Sequence, residues 1–582
     1  MSKKKQKLEL TWIGKDARPK LEPRILIEDP ELSCHAKERR SDDDIFDNIL
    51  IHGDNLLALK ALEAEYTGKV KCIYIDPPYN TGNAFEHYDD GIEHSLWLSL
   101  MRDRLEILRT LLADDGFICC HIDDSEGHYL KVLLDDVFGR GNYQTTLYVQ
   151  VRYAKKTLKQ DMNFHKQIEM VHVYRKEYGA IPNLPEKKSS FDKFTFYVHE
   201  HAKGREIELG GKKVIVFSKD EFEIKKDLGS EDGRKEIWAS GSILDGNSSG
   251  RFFRDFLAGR YDDDGYGVLY KVYGIGDDKF DSRYFTGPKK IGATKGKYYQ
   301  GVPMAQLRDA NAVKTSPIEN FYDLAGAFGN CRLEGGVDFR SGKKPEALLE
   351  IILKHFSDPG DLVLDSFGGS GSTVAAAHKM RRRWITVEIG EQAKTHIAPR
   401  LTRIVNNEDM TGISEQVDWN GGGGFLYYRL APSLLEKDKY GNWIISKEYN
   451  AAMLAEALCK NMGFTYAPSQ DENEYWRHGH STETDFIFVT TASMTHSALR
   501  KLSEDVGPDR TLLVCCKAFN AKTDAFDNLT IKKIPHAVLS KCEWGRDDYS
   551  LNVANLPMAK SDEEIERERM KEELPLFAKE EE

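Results

Sequence analysis

The sequence predicts an α/β chain: a permuted, doubly wound (Rossmann-like) sheet, interrupted by a large inserted domain and followed by a small C-terminal α/β module. Three observations carry this. Short apolar strands alternate with helix-period segments at the cadence of a parallel sheet. A glycine-rich turn, Asp365-Ser366-Phe367-Gly368-Gly369-Ser370-Gly371, follows an apolar strand and opens a helix, yet it stands far down the chain. Open α/β folds ordinarily place such a turn in their first strand-turn unit. A second strand-ending motif, Asp76-Pro77-Pro78-Tyr79, precedes it, so the two halves of the sheet are in inverted order.

A chain of 582 residues is expected to hold two to four domains. It is 40% apolar and 30% charged, enough for a sizeable core, and no apolar run has membrane-spanning length. The basic stretch from Met1 to Lys7 leads into no apolar signal core, so a cytoplasmic protein is expected. Nine scattered cysteines without a Cys-x-x-Cys pair fit a reducing compartment and argue against structural zinc. The net charge of −12 does not by itself point to nucleic acid, but binding requires a local basic face, not a basic whole.

Residues 1–44 read as an arm. The target half of the sheet is expected over 45–150. Asn48 to His52 form a short strand ended by Gly53-Asp54, and Leu56, Leu57, Leu59, Ala61 and Leu62 mark a helix. Lys71 to Ile75 form a strand that Pro77 and Pro78 terminate. Trp97, Met101, Leu105, Leu108 and Leu112 recur at helical spacing, with Gly116 placed to cap, before a strand from Phe117 to Ile122. Over 151–338 glycines, aromatics and charges intermingle in an expected insertion, with strands at Lys213–Phe217 and Gly267–Tyr273. The other half of the sheet is expected over 339–420: a helix from Lys344-Pro345, a strand from Leu362 to Asp365, a helix holding Ala375 to Ala377, and a strand from Trp384 to Glu388. Gly421 to Gly424 read as a flexible joint. A module over 425–560 follows, with strands Phe486–Val489 and Leu512–Cys516 around a helix from Thr495 to Val506, and an acidic tail over 561–582.

Glycines let a turn approach a ligand without a Cβ in the way. About twenty residues beyond the turn, Glu388 ends a strand where it can accept from ribose hydroxyls. The turn lacks regular Gly-x-Gly-x-x-Gly spacing, and Asp365 precedes it where it can hold an ammonium. Together these favour S-adenosylmethionine over a dinucleotide. Gly53-Asp54 reads equally as an adenine contact and as a helix N-cap.

Methylating an exocyclic amine requires its delocalised lone pair to be freed, and acceptors placed against the N–H groups do this. Asp76 offers a carboxylate, Pro77 a carbonyl without a main-chain donor, and Tyr79 a flat surface for a base taken out of its stack. The displacement at the sulfonium is direct and calls for no metal. Methylation at cytosine C5 needs a cysteine nucleophile, usually in a Pro-Cys pair, which the sequence lacks. Asp in the first position tilts the reading towards adenine N6 rather than cytosine N4. His121, Asp123 and Asp124 read as the end of a strand with helix-capping acids, not as a metal cluster.

Asp76 to Gly82, Ile51 to Asn55 and Phe367 to Gly371 resemble the β-class amino-methyltransferases and, within them, the modification subunit of type III restriction-modification systems. The resemblance covers roughly 45–150 and 335–395. It implies adenine-N6 methylation of double-stranded DNA by base flipping, with Asp76, Pro77, Pro78 and Tyr79 at the base. Asp54, Lys344, Pro345, Asp365, Phe367, Gly369, Gly371 and Glu388 would hold S-adenosylmethionine. It also implies a homodimer and a separate helicase-nuclease restriction subunit, since no Gly-x-x-x-x-Gly-Lys-Ser/Thr is present. The insertion becomes a target-recognition domain. There Arg251, Arg254, Lys289, Lys290, Lys295 and Lys297, beside Phe252, Phe253, Phe256, Tyr298 and Tyr299, would meet DNA. The alternatives are a cytosine-N4 enzyme and a DNA-reading subunit that delivers a nuclease with little methylation of its own.

Overall fold

The computed structural model describes residues 10–79, 94–154, 164–188, 190–239, 248–290, 296–308, 313–339, 342–522 and 525–550. The expected acidic tail, Asn80 to Gly82 and Lys295 lie outside them. The chain forms two compact units, one of residues 1–183 with 319–582 and one of residues 184–318.

The larger unit is built on an 11-stranded sheet. Its strands are β1 (Leu26–Glu28), β2 (Cys34–His35), β3 (Asn48–His52), β4 (Val70–Ile75), β5 (Leu112–Ile122), β6 (Tyr143–Gln150), β7 (Ile168–Arg175), β8 (Phe321–Asp323), β9 (Leu362–Asp365), β10 (Arg383–Glu388) and β11 (Gly424–Leu430). They lie in the order β1-β11-β3-β10-β9-β4-β5-β7-β6-β8, with β2 also on β11. From β11 to β5 the pairing is parallel throughout, and β7 then runs antiparallel to β5.

The central strands are buried on both sides because helices cover both faces. One face packs against α1 (Asn55–Tyr66) and α2 (His94–Leu111) through Leu56, Leu59, Trp97, Met101 and Leu108. The other packs against α3 (Glu346–Phe356) and α4 (Ser372–Lys379) through Leu349, Ile352, Leu353, Val374 and Ala376. The chain leaves β4 towards β5 and leaves β9 towards β10, in opposite directions along the sheet. The carboxyl ends of β4 and β9 therefore flank a topological switch point, where open sheets leave a crevice for a ligand. The inverted motif order follows: the glycine strand β9 comes late in the chain yet lies beside β4.

Several expectations are corrected. The compact insertion is narrower than 151–338, because β7 and β8 complete hydrogen-bonded pairs within the main sheet. Gly116 lies inside β5 and is no helix cap; a Cβ there would meet Val70 O at 2.9 Å. The arm is built into the sheet, since β1 pairs with β11 and the buried guanidinium of Arg24 donates to Ala431 O at 2.8 Å and Asp547 Oδ1 at 2.6 Å. Gly421 to Gly423 are packed rather than flexible: a Cβ at Gly422 would lie 2.6 Å from Asp44 Oδ2. The strand that follows belongs to the main sheet.

Beyond β11 a further sheet has parallel neighbours Asp485–Val489, Thr511–Cys516 and Leu529–Lys533. The helix His496–Val506 connects the first two and is capped by Thr495, whose hydroxyl accepts from Ala498 N–H. The smaller unit holds a six-stranded antiparallel sheet with a core of Val214, Phe253, Tyr270, Val272, Phe285 and Tyr298.

Candidate functional site

The four residues after β4 are held from two sides. Trp97, fully buried on α2, donates its indole N–H to Pro78 O at 2.9 Å, which fixes the turn but commits that carbonyl. Lys344 reaches in from the start of α3, its Nζ 2.9 Å from Asp76 Oδ2 and 4.9 Å from the centre of the Tyr79 ring. Asp76 Oδ1 is buried and has no hydrogen-bond partner among the described residues. A buried carboxylate oxygen without a donor is costly, and it is the group a substrate N–H would satisfy.

Glu169, at the start of β7, is a site residue that the sequence reading missed. Tyr79 donates its hydroxyl to Glu169 Oε2 at 3.1 Å; His121 Nε2 lies 2.9 Å and Lys344 Nζ 3.8 Å from the same oxygen. Burial pushes the Glu169 carboxyl up, but Lys344, His121 and Tyr79 outweigh it and hold the group at about 2. Burial opposes the charge on Lys344, while Asp76 and Glu169 together hold its ammonium above the ordinary lysine range. Burial, with Asp76 and Glu169 nearby, raises Tyr79 well above its ordinary value, so it stays a hydroxyl. His121, expected to be only a strand end, is thus part of the site; Asp123 accepts from Ser125 N–H in a local turn.

The glycine turn stands on the other side of the switch point. Gly368 N–H donates to Val387 O at 2.8 Å, and Gly371 N–H to Gly368 O at 2.7 Å. Gly368 and Gly371 are required for packing, since a Cβ would come to 2.7 Å from Thr386 Oγ1 and 3.0 Å from Ile397 Cγ2 respectively. Gly369 differs: with φ +52°, the nearest atom to its missing Cβ is Phe367 O at 3.8 Å. Among the described residues its side is open, as that of a ligand-approaching glycine should be. Asp365 is buried and accepts from Phe367 N–H at 2.9 Å. Burial, with Asp76 and Glu388 close by, pushes its carboxyl up to about 8 against the hydrogen bonds from Thr373 and Phe367. Ser366 Oγ, beside it, is buried and has no hydrogen-bond partner among the described residues.

Glu388 ends β10 as expected, and its oxygens accept from Gly369 N–H at 2.6 Å, Gly390 N–H at 2.8 Å and Gln392 Nε2 at 2.9 Å. It clamps the glycine turn. Phe367 is partly buried against the core. Pro345 is the N-cap residue of α3, one position before the helix. Two expectations for cofactor residues change. Asp54 is covered to 2% exposure and caps α1, accepting from Leu56, Leu57 and Tyr549 N–H groups, so the N-cap alternative is the one found. Lys344 stands at Asp76 rather than on the glycine side.

Beneath the turn lies a buried ionic cluster. Glu346, two residues past Lys344, pairs with Lys379 and Arg400, both at 2.8 Å, and Lys379 pairs with Asp409 at 2.7 Å. Arg400 also donates to Ser370 O at 3.0 Å. The start of α3 and the glycine turn are thereby tied through Arg400.

In the smaller unit, Arg251, Arg254, Lys289 and Lys290 are exposed, with Arg254 paired to Asp255. Lys297 pairs with Glu236 at 2.6 Å and lies over Trp238, which is 62% exposed. The neighbouring aromatics do not wait for a base: Phe252, Phe253, Tyr298 and Tyr299 are buried in that unit's own cores. Phe256 is exposed, and Trp238 is an exposed aromatic that the sequence reading passed over.

A parallel sheet with a glycine turn and a carboxylate-proline-aromatic turn side by side at its switch point defines the class of α/β proteins that bind a nucleotide-like ligand against a second substrate. Residues 70–399 match the N6_N4_Mtase family, described as DNA methylase. The chain belongs to this family.

Similarity extends to curated relatives. The chain is 32% identical over 428 residues to the probable type III restriction-modification enzyme HindVI Mod subunit of Haemophilus influenzae, covering 68% of this chain and 55% of that protein. It is 27% identical over 439 residues to the EcoPI Mod subunit of Escherichia phage P1 (64% and 61%) and 28% over 479 residues to the StyLTI Mod subunit of Salmonella typhimurium (73% and 66%). The chain thus spans between about half and two thirds of the length of these relatives. Among the described residues, no helix is long and apolar enough to cross a membrane.

Proposed function

We propose that this chain transfers a methyl group from S-adenosylmethionine to the N6 amine of adenine in double-stranded DNA, on a base flipped out of the duplex, as the modification and DNA-recognition subunit of a type III restriction-modification system. The observation that carries the reading is the buried Asp76 Oδ1, without a partner among the described residues, and the open side of Gly369, at the ends of adjacent strands of one switch point. Kinship with three Mod subunits supports the system-level part.

S-Adenosylmethionine, when bound, supplies an electrophilic methyl on a sulfonium. Gly369 to Gly371 and Asp365 would take its amino-acid end, and Glu388 its ribose once the turn yields. Asp76 Oδ1 accepts one N–H of the target amine, drawing the nitrogen towards tetrahedral geometry and aiming its lone pair. Lys344, at 2.9 Å, holds Asp76 in one orientation. The Tyr79 ring offers the stacking surface, and its hydroxyl, kept protonated, anchors that ring to Glu169. Partners would be double-stranded DNA, a second copy of the chain and a helicase-nuclease subunit.

Incubating the protein with methyl-labelled S-adenosylmethionine and DNA, then resolving the nucleosides by mass spectrometry, tests the reading. N6-methyladenine at one short motif is the expected product. N4-methylcytosine would move the target base, and no methylated base on any DNA, with or without a restriction subunit, would overturn the enzyme reading.

A further inference from the structure

Resting on the reading above, we propose that Glu169 is the positioning residue of the target-amine site: it draws Lys344 and Tyr79 aside so that Asp76 Oδ1 stays open to the substrate. The geometry points this way from three directions. Glu169 is the second residue of β7, which runs antiparallel to β5, so it lies at the same end of the sheet at which β4 releases Asp76 and Tyr79. One carboxylate oxygen then accepts from the Tyr79 hydroxyl and lies within ion-pair distance of His121 Nε2 and, further off, of Lys344 Nζ.

The third direction is the packing behind it. Tyr74 OH lies 2.7 Å from His121 Nδ1, and Tyr74 is fully buried with its ionisation pushed far up by burial and nearby acids. The other ring nitrogen of His121, Nε2, lies 2.9 Å from Glu169 Oε2. Tyr74 and His121 thus stand in line behind Glu169 at the end of the sheet. None of the three touches Asp76 in a hydrogen bond.

Without that anion, Lys344 has one carboxylate left to satisfy it. An ammonium with three donors beside a lone buried carboxylate settles across both oxygens. Oδ1 would then be occupied by the protein's own cation, and the Tyr79 ring would lose the anchor that orients it. Glu169 thus acts through its neighbours and not on the reacting nitrogen.

The test compares wild type, Glu169→Gln, Glu169→Asp and Asp76→Ala in cofactor binding, thermal melting and steady-state methylation, with crystal structures of wild type and Glu169→Gln. The glutamine variant keeps an acceptor for Tyr79 but no charge for Lys344. It is expected to lose kcat on the order of 10²-fold, as a misplacement of about an ångström at a reacting group does. Its KM for DNA, its cofactor Kd and its melting temperature are expected to stay near wild type, and Glu169→Asp, which keeps the charge, to recover part of the rate. In the crystal, Lys344 Nζ is expected to bridge both oxygens of Asp76. Wild-type kcat in Glu169→Gln, or a loss traced to melting or cofactor affinity, overturns the proposal. If wild type itself methylates no DNA, the functional reading fails, and the crystal structures alone then decide: an unmoved Lys344 in Glu169→Gln refutes the role assigned to Glu169.

Discussion

Lys344 Nζ sits 2.9 Å from one oxygen of Asp76 and leaves the other buried with no partner among the described residues. The pair joins the first turn after β4 to the residue two places before α3, segments that lie on either side of the smaller unit in the sequence. A carboxylate so held is oriented and half satisfied before any substrate arrives.

Asp76→Ala is expected to lower kcat by about 10²–10³-fold, the scale for losing one preorganised hydrogen-bonding group at a reacting atom. Cofactor affinity should be nearly unchanged, because the glycine turn is untouched. Isothermal titration beside initial rates separates the two, and full activity in the variant would remove Asp76 from the mechanism.

Cofactor binding should release a proton near neutral pH. Free, the Asp365 carboxyl is held at about 8 by burial and by nearby Asp76 and Glu388, so it is largely protonated at pH 7. A cationic ligand beside it favours the carboxylate and lowers that value, so affinity is full above about pH 8 and weakens as pH falls below it. Calorimetry in buffers of different ionisation enthalpy would count the proton. Asp365→Asn should bind more weakly and flatten the pH dependence.

Two neighbouring glycines should fail in different ways. A Cβ at Gly368 strikes Thr386 Oγ1 and Val387 O, so Gly368→Ala should lower the melting temperature. Gly369→Trp meets open space instead. It should cost only the strain of a positive φ, about 1–2 kcal/mol, while abolishing cofactor binding. Equal effects in both assays would show that Gly369 does not face the cofactor.

Glu346→Ala should be destabilising although Glu346 touches no substrate. It strands the buried cations Lys379 and Arg400, and breaking a buried pair from one side costs about 3–5 kcal/mol. Chemical denaturation would read the loss directly. Because Arg400 also holds Ser370 O, cofactor affinity should weaken as well.

Most of the sheet was legible because its strands are short apolar runs between turn residues, and both site motifs lie at strand ends that proline or glycine must terminate. What stayed hidden was pairing across long sequence distances. Lys344 could be picked out by its place before a helix, but nothing local to it names Asp76 as its partner. Glu169 carried a faint signal: it shares the alternate register of Val171 and Val173, both fully buried, where a carboxylate needs a reason to be. In the insertion, clusters of cations and aromatics looked alike in sequence. Period-2 alternation puts Tyr298 and Phe285 inward, and only packing shows which rings are spent on the core.

The pairing of β1 with β11 bears on how the protein can be shortened. A fragment trimmed to the two motif-bearing segments, 45–420, would lose both strands and expose β3 as a bare parallel edge, with its buried Ile49, Leu50 and Ile51 beside it. Unprotected edges of that kind recruit other chains. The smallest well-behaved catalytic piece therefore begins before Leu26 and runs past Leu430, and a soluble aggregate from anything shorter would reflect an uncapped sheet, not a defective active site.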